Sequence, residues 1–82
     1  MSMPLRASRQ TFSVNIRRFR LARNLTQVQL AKALGVDQSR IAELERGKGN
    51  PTMDTLDQVA DALEISPAAL LVPVEFEEAV PA

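Results

Sequence analysis

Turn-forming residues interrupt this 82-residue chain so often that no element between them is long: Asn24, Gly35, the run Gly47-Lys48-Gly49-Asn50-Pro51, then Ser66-Pro67. Between these breaks the apolar residues recur every three or four positions, the period of a helix and not the alternation of a strand. Phe12, Ile16 and Phe19 mark one face of a first helix that begins near Ser8 or Thr11 and stops near Asn24, with Arg17, Arg18, Arg20 and Arg23 mostly around its other faces. Thr26 with Gln29 three residues on has the spacing of a capping box, in which each side chain satisfies the other's backbone N–H. Leu25 and Leu30 flank it as a hydrophobic staple, and Gly35 after Leu34 suits a left-handed C-terminal cap, giving a second helix of about eight residues.

The same logic carries to the end of the chain. Asp37 is expected to cap a third helix, its carboxylate favoured by the helix dipole, with Val36 and Ile41 as a second staple and an end near Arg46. Thr52 caps a fourth, with Met53, Leu56, Val59, Ala60 and Leu63 as its apolar face and Asp54, Asp57, Asp61 and Glu64 turned away. Ser66, with Pro67 at the first helical position, opens a short fifth helix carrying Leu70 and Leu71. The expectation is an all-α, compact five-helix domain over residues 8–72, followed by an acidic C-terminal tail, 73–82, in which Val74, Phe76 and Val80 are free to dock.

Size and composition remove several functions. The length leaves room for one domain. With no Cys, His, Trp or Tyr, the chain lacks disulfides, thiolate or imidazole metal ligands, and the usual acid–base shuttle. Its longest apolar stretch, Pro67 to Val74, falls far short of the roughly 20 residues that span a bilayer. The basic N-terminus has no apolar core of the kind a secretion signal needs, so a cytoplasmic protein is expected. The net charge of zero conceals a polarity. All ten Lys and Arg lie between Arg6 and Lys48, where Asp37, Glu43 and Glu45 are the only acids, leaving +7; residues 49–82 hold the other seven acids and no base, leaving −7. Such a division fits a polyanion approached from one side, or a merely solvated basic surface.

The second and third helices, joined by Gly35-Val36-Asp37, have the form of a helix-turn-helix in which the third can enter a DNA major groove. A helix with its side chains is about 10 to 12 Å wide and the groove about 12 Å, so only the outward face can read bases. Ile41 and Leu44 must point inward, which turns Gln38, Ser39 and Glu43 outward, together with Arg40 and Arg46.

Leu25-Thr26-Gln27-Val28-Gln29-Leu30-Ala31, Leu34-Gly35-Val36, and Ile41-Ala42-Glu43-Leu44-Glu45-Arg46-Gly47-Lys48 with Pro51 resemble the phage repressor and Cro (Xre) family across residues 12–71. The resemblance implies a lambda-repressor-like fold in which Gln27 touches a phosphate and braces the third helix. It implies that Gln38, Ser39 and Glu43 face base edges while Thr26, Arg40 and Lys48, with Gln27, hold the DNA backbone. It also implies a structural ion pair between Arg20 and Glu45. Gln38 is suited to bidentate contact with adenine. Glu43 departs from the neutral or basic residue many relatives carry: a carboxylate accepts from cytosine N4 yet repels phosphate, and as alternatives Glu43 is a solvated residue or an intra-helix partner of Arg40 or Arg46.

Other signals are weaker. Gly47-Lys48-Gly49 lacks the spacing of a phosphate loop and follows no strand. Asp54, Asp57, Asp61 and Glu64 read as a solvent face and not as a metal site, and Ser39 has no histidine to activate it. No enzyme, metal or cofactor is expected. The reading is a sequence-specific DNA-binding transcriptional regulator, a repressor, binding a near-palindromic operator as a homodimer joined through the fifth helix and Leu70, Leu71, Val72, Val74 and Phe76. The alternative is an antitoxin-like interaction module that neutralises a partner and autoregulates its operon; a toxin or polymerase is the protein partner these readings admit.

Overall fold

The computed structural model describes residues 7–74, all of its regular elements being helical. The order is α1 (Ala7–Ala22), α2 (Gln27–Leu34), α3 (Gln38–Glu45), α4 (Met53–Leu63) and a 3₁₀ helix (Pro67–Leu71). Thr26 Oγ1 accepts from the Gln29 N–H at 3.0 Å while Gln29 Oε1 accepts from the Thr26 N–H at 2.8 Å, closing the capping box. At the other end of α2, Gly35 sits in the left-handed region at φ 72° and donates its N–H to the Ala31 and Lys32 carbonyls. Thr52 builds a second box with Thr55, whose hydroxyl accepts from the Thr52 N–H at 3.3 Å.

Asp37 occupies the N-cap of α3 but its side chain makes no capping hydrogen bond, contrary to expectation. It is exposed, and water competes for its carboxylate.

The fifth helix is 3₁₀ and not α. Pro73 has no N–H to bond the Ala69 carbonyl and holds Val72 extended, at φ −86° and ψ 119°, so the α-helical ladder cannot propagate. The expected tail beyond Val74, with Phe76 and Val80, lies outside the described residues.

The core draws on every element: Phe12 and Ile16 from α1, Leu30 and Ala31 from α2, Ile41 and Leu44 from α3, Leu56, Val59, Ala60 and Leu63 from α4, and Leu70 from the 3₁₀ helix. α3 packs on α2 and α1, whereas α4 packs on α2, α1 and the 3₁₀ helix. Met53, placed on the apolar face of α4 by its spacing, is 72% exposed. It is the first residue of the helix, where a side chain that leans toward the N-terminus has no preceding turn to cover. Asn15 is the reverse case, a polar residue with no exposure. Its amide donates to the carbonyls of Leu70 and Val72, each at 2.9 Å, and fastens the 3₁₀ helix to α1. No helix among the described residues is long and apolar enough to cross a membrane.

Candidate nucleic-acid interface

α3 is held from one side only. Ile41 and Leu44 are buried against the core, while Gln38, Ser39, Glu43 and Arg46 are exposed and Arg40 is half-buried. The position of α3 relative to α1 and α2 is set by a polar network. Arg20, 8% exposed although charged, donates from Nε to Glu45 Oε2 at 2.6 Å, from Nη2 to Glu45 Oε1 at 3.0 Å, and from Nη1 to the Leu25 carbonyl at 2.8 Å. The hydrogen bond to Glu45 raises the Arg20 pKa above its already high ordinary value, against the opposing effect of burial, so the guanidinium remains charged. This fork-on-fork pair ties the end of α1, the loop before α2 and the end of α3 together.

Gln27, at the first position of α2, extends the network. Its Nε2 donates to Glu45 Oε1 at 3.1 Å and its Oε1 accepts from Gln38 Nε2 at 2.6 Å. Gln38 is therefore anchored at the foot of the exposed face. Gln38, Gln27, Ala42 and Arg46 line an open cleft with Arg17 of α1. Sequence reasoning did not single out Arg17, although it lies three residues before Arg20 and so shares its stripe of α1.

The remaining candidates occupy the ends of the motif. The Thr26 hydroxyl oxygen is engaged as a cap acceptor, leaving its proton to donate outward. Lys48 is exposed on the loop after α3. Arg40 reaches back over that loop: a Cβ built at Gly49 would lie 3.2 Å from Arg40 Nη1, and Gly49 adopts φ 81°. Among the described residues the ion pairs are Arg20–Glu45 and Arg23–Glu64, so Glu43 pairs with neither Arg40 nor Arg46. Two further cations are engaged within the chain: Arg9 donates to Asn50 at 3.0 Å, and Arg18 stacks 4.6 Å from the Phe19 ring centre. The face around α3 thus combines exposed amide and hydroxyl groups with Arg17, Arg40, Arg46 and Lys48, as a polyanion surface requires.

Comparison with known proteins agrees with this architecture. The HTH_3 helix-turn-helix family model matches residues 16–70. The chain is 41% identical over 61 residues to the immunity repressor protein of Bacillus phage phi105, covering 74% of this chain but only 42% of that repressor, so it spans less than half the length of that relative. It is 36% identical over 67 residues to the HTH-type transcriptional regulator y4dJ of Sinorhizobium fredii, covering 82% of this chain and 87% of that one. Among solved structures, the hypothetical transcription factor NHTF from Neisseria superposes with a TM-score of 0.79 at 27% identity, over 89% of this chain and 85% of that chain. The chain belongs to the helix-turn-helix family HTH_3, the phage repressor and Cro (Xre) type of DNA-binding transcriptional regulator.

Proposed function

We propose that this protein represses transcription by binding a near-palindromic operator as a homodimer, each protomer laying α3 in the major groove. The observation that carries the reading is the one-sided burial of α3, with Ile41 and Leu44 inward and Gln38, Ser39 and Glu43 exposed on the opposite side. In this reading Gln38, Ser39 and Glu43 contact bases. Thr26, Gln27, Arg40 and Lys48 contact the sugar-phosphate backbone, helped by the positive N-terminal end of the α2 dipole, which favours an anion. Glu43, free of an intra-helix partner, is available to accept from cytosine N4.

Residues 8–72 act as the DNA-binding unit, and the acidic segment 73–82 follows it. The dimer contact uses the 3₁₀ helix and the residues after it. Leu71 and Val72 are 45% and 57% exposed, and Leu71 borders an apolar groove with Phe12, Met53 and Leu56. Two such protomers place their recognition helices about 34 Å apart.

Selection from a random duplex library followed by footprinting tests the reading. A two-fold symmetric site protected in two patches one helical turn apart is the expected result, with a dimer in sedimentation at tens of micromolar. Sequence-indifferent binding by a monomer would overturn it.

A further inference from the structure

Glu45 is ordinarily explained by the ion pair it forms with Arg20, but a third bond connects that pair to the reading face. Glu45 Oε1 accepts from Gln27 Nε2 at 3.1 Å, and Gln27 Oε1 accepts from Gln38 Nε2 at 2.6 Å. The direction of every bond in this series follows from its first member. Arg20 has donors only, and an ionised carboxylate accepts only. Gln27 must therefore turn its NH₂ toward Glu45 and its oxygen toward Gln38. Gln38 must in turn present an N–H to Gln27, which leaves it one further N–H and its oxygen for a ligand.

One donor beside one acceptor matches adenine, whose major-groove edge offers N7 as acceptor and N6–H as donor. It mismatches guanine, whose N7 and O6 are both acceptors. We infer that Glu45 is a positioning residue for sequence recognition: through Gln27 it locks the amide polarity of Gln38 and so sets an adenine-over-guanine preference at the base Gln38 reads. This rests on the proposed base-reading role of Gln38. The ion pair thereby has two separable effects, the stability of the helix-turn-helix and the orientation of one amide on its surface.

The test compares Glu45→Gln and Gln27→Met with wild type and Gln38→Ala. Each is titrated against the selected operator and against duplexes with adenine replaced by guanine at one position at a time, with folding at the assay temperature checked by circular dichroism. An amide at position 45 can offer Gln27 either a donor or an acceptor, and methionine at position 27 offers neither bond. In both variants Gln38 becomes free to flip. At the Gln38-dependent position the wild type should prefer adenine about 5- to 160-fold. That ratio should fall by about fivefold or more in Glu45→Gln and in Gln27→Met. A merely structural role for Glu45 would weaken binding to every duplex equally and leave the ratio unchanged. Should Glu45→Gln not fold, Gln27→Met decides alone, since the Arg20–Glu45 bonds do not involve it. An unchanged ratio in folded Gln27→Met overturns the inference while leaving the Gln38 reading intact. Wild-type base preference in Gln38→Ala overturns both.

Discussion

Replacing Asn15 by alanine should loosen the 3₁₀ helix more than a single exposed-looking amide in a basic helix would suggest. The side chain has no solvent exposure, and both its N–H groups are spent on carbonyls 55 and 57 residues away. Without them the Leu70 carbonyl, buried at that bond, is left without a partner, at a cost of about 1–3 kcal/mol. The Val72 bond is only partly buried, so water can replace it, and its loss costs about 0.5–1.5 kcal/mol. Together these give about 2–4 kcal/mol, a drop in Tm of about 8–30 °C for a domain of this size. Thermal and urea unfolding followed by circular dichroism measure it, the chain having no Trp or Tyr for fluorescence. Asn15→Leu refills the volume without the donors, so it should remain destabilised if hydrogen bonding and not a cavity dominates. Amide exchange in residues 68–72 should accelerate in both variants. Stability within about 0.5 kcal/mol of wild type, with exchange unchanged, would refute the reasoning.

Three further outcomes are expected. Glu45→Ala should cost about 3–5 kcal/mol because it strands the buried Arg20 guanidinium, whereas the double variant Arg20→Met with Glu45→Leu should cost clearly less than the two single changes combined, as read from a denaturation cycle. Gly35→Ala should destabilise by about 1–2 kcal/mol in the same assay; nothing lies within 4 Å of the added Cβ, so the penalty is the left-handed backbone alone. Leu71→Asp with Val72→Asp should shift sedimentation toward the monomer while leaving helix content unchanged, both side chains being exposed within the protomer.

What was legible in the sequence was local. The Thr26–Gln29 box, the Gly35 cap and the inward Ile41 and Leu44 depend on residues no more than four apart, and spacing alone exposes such relations. The Thr52 cap was legible but its reciprocal partner Thr55 was not, because a capping box ordinarily has Glu or Gln there. Asn15 escaped notice because its partners are distant and nothing in its neighbourhood marks a polar residue as buried. Met53 followed the apolar period yet lies at the helix start, beyond the layer its neighbours pack into. In the candidate site, the residue types on α3 were readable one by one. The link from Glu45 through Gln27 to Gln38 joins three elements, so only the folded chain displays it.

The most direct test of the central claim is the affinity of wild type and Gln38→Ala for the selected operator and for a scrambled duplex, each titrated at two salt concentrations. Wild type should bind the operator about 10³-fold or more tightly than the scrambled duplex, with both affinities falling as salt rises. Gln38→Ala should lose part of that ratio at a defined base position while keeping the salt dependence. Equal affinity for operator and scrambled DNA, or a Gln38→Ala variant indistinguishable from wild type, would contradict recognition through α3.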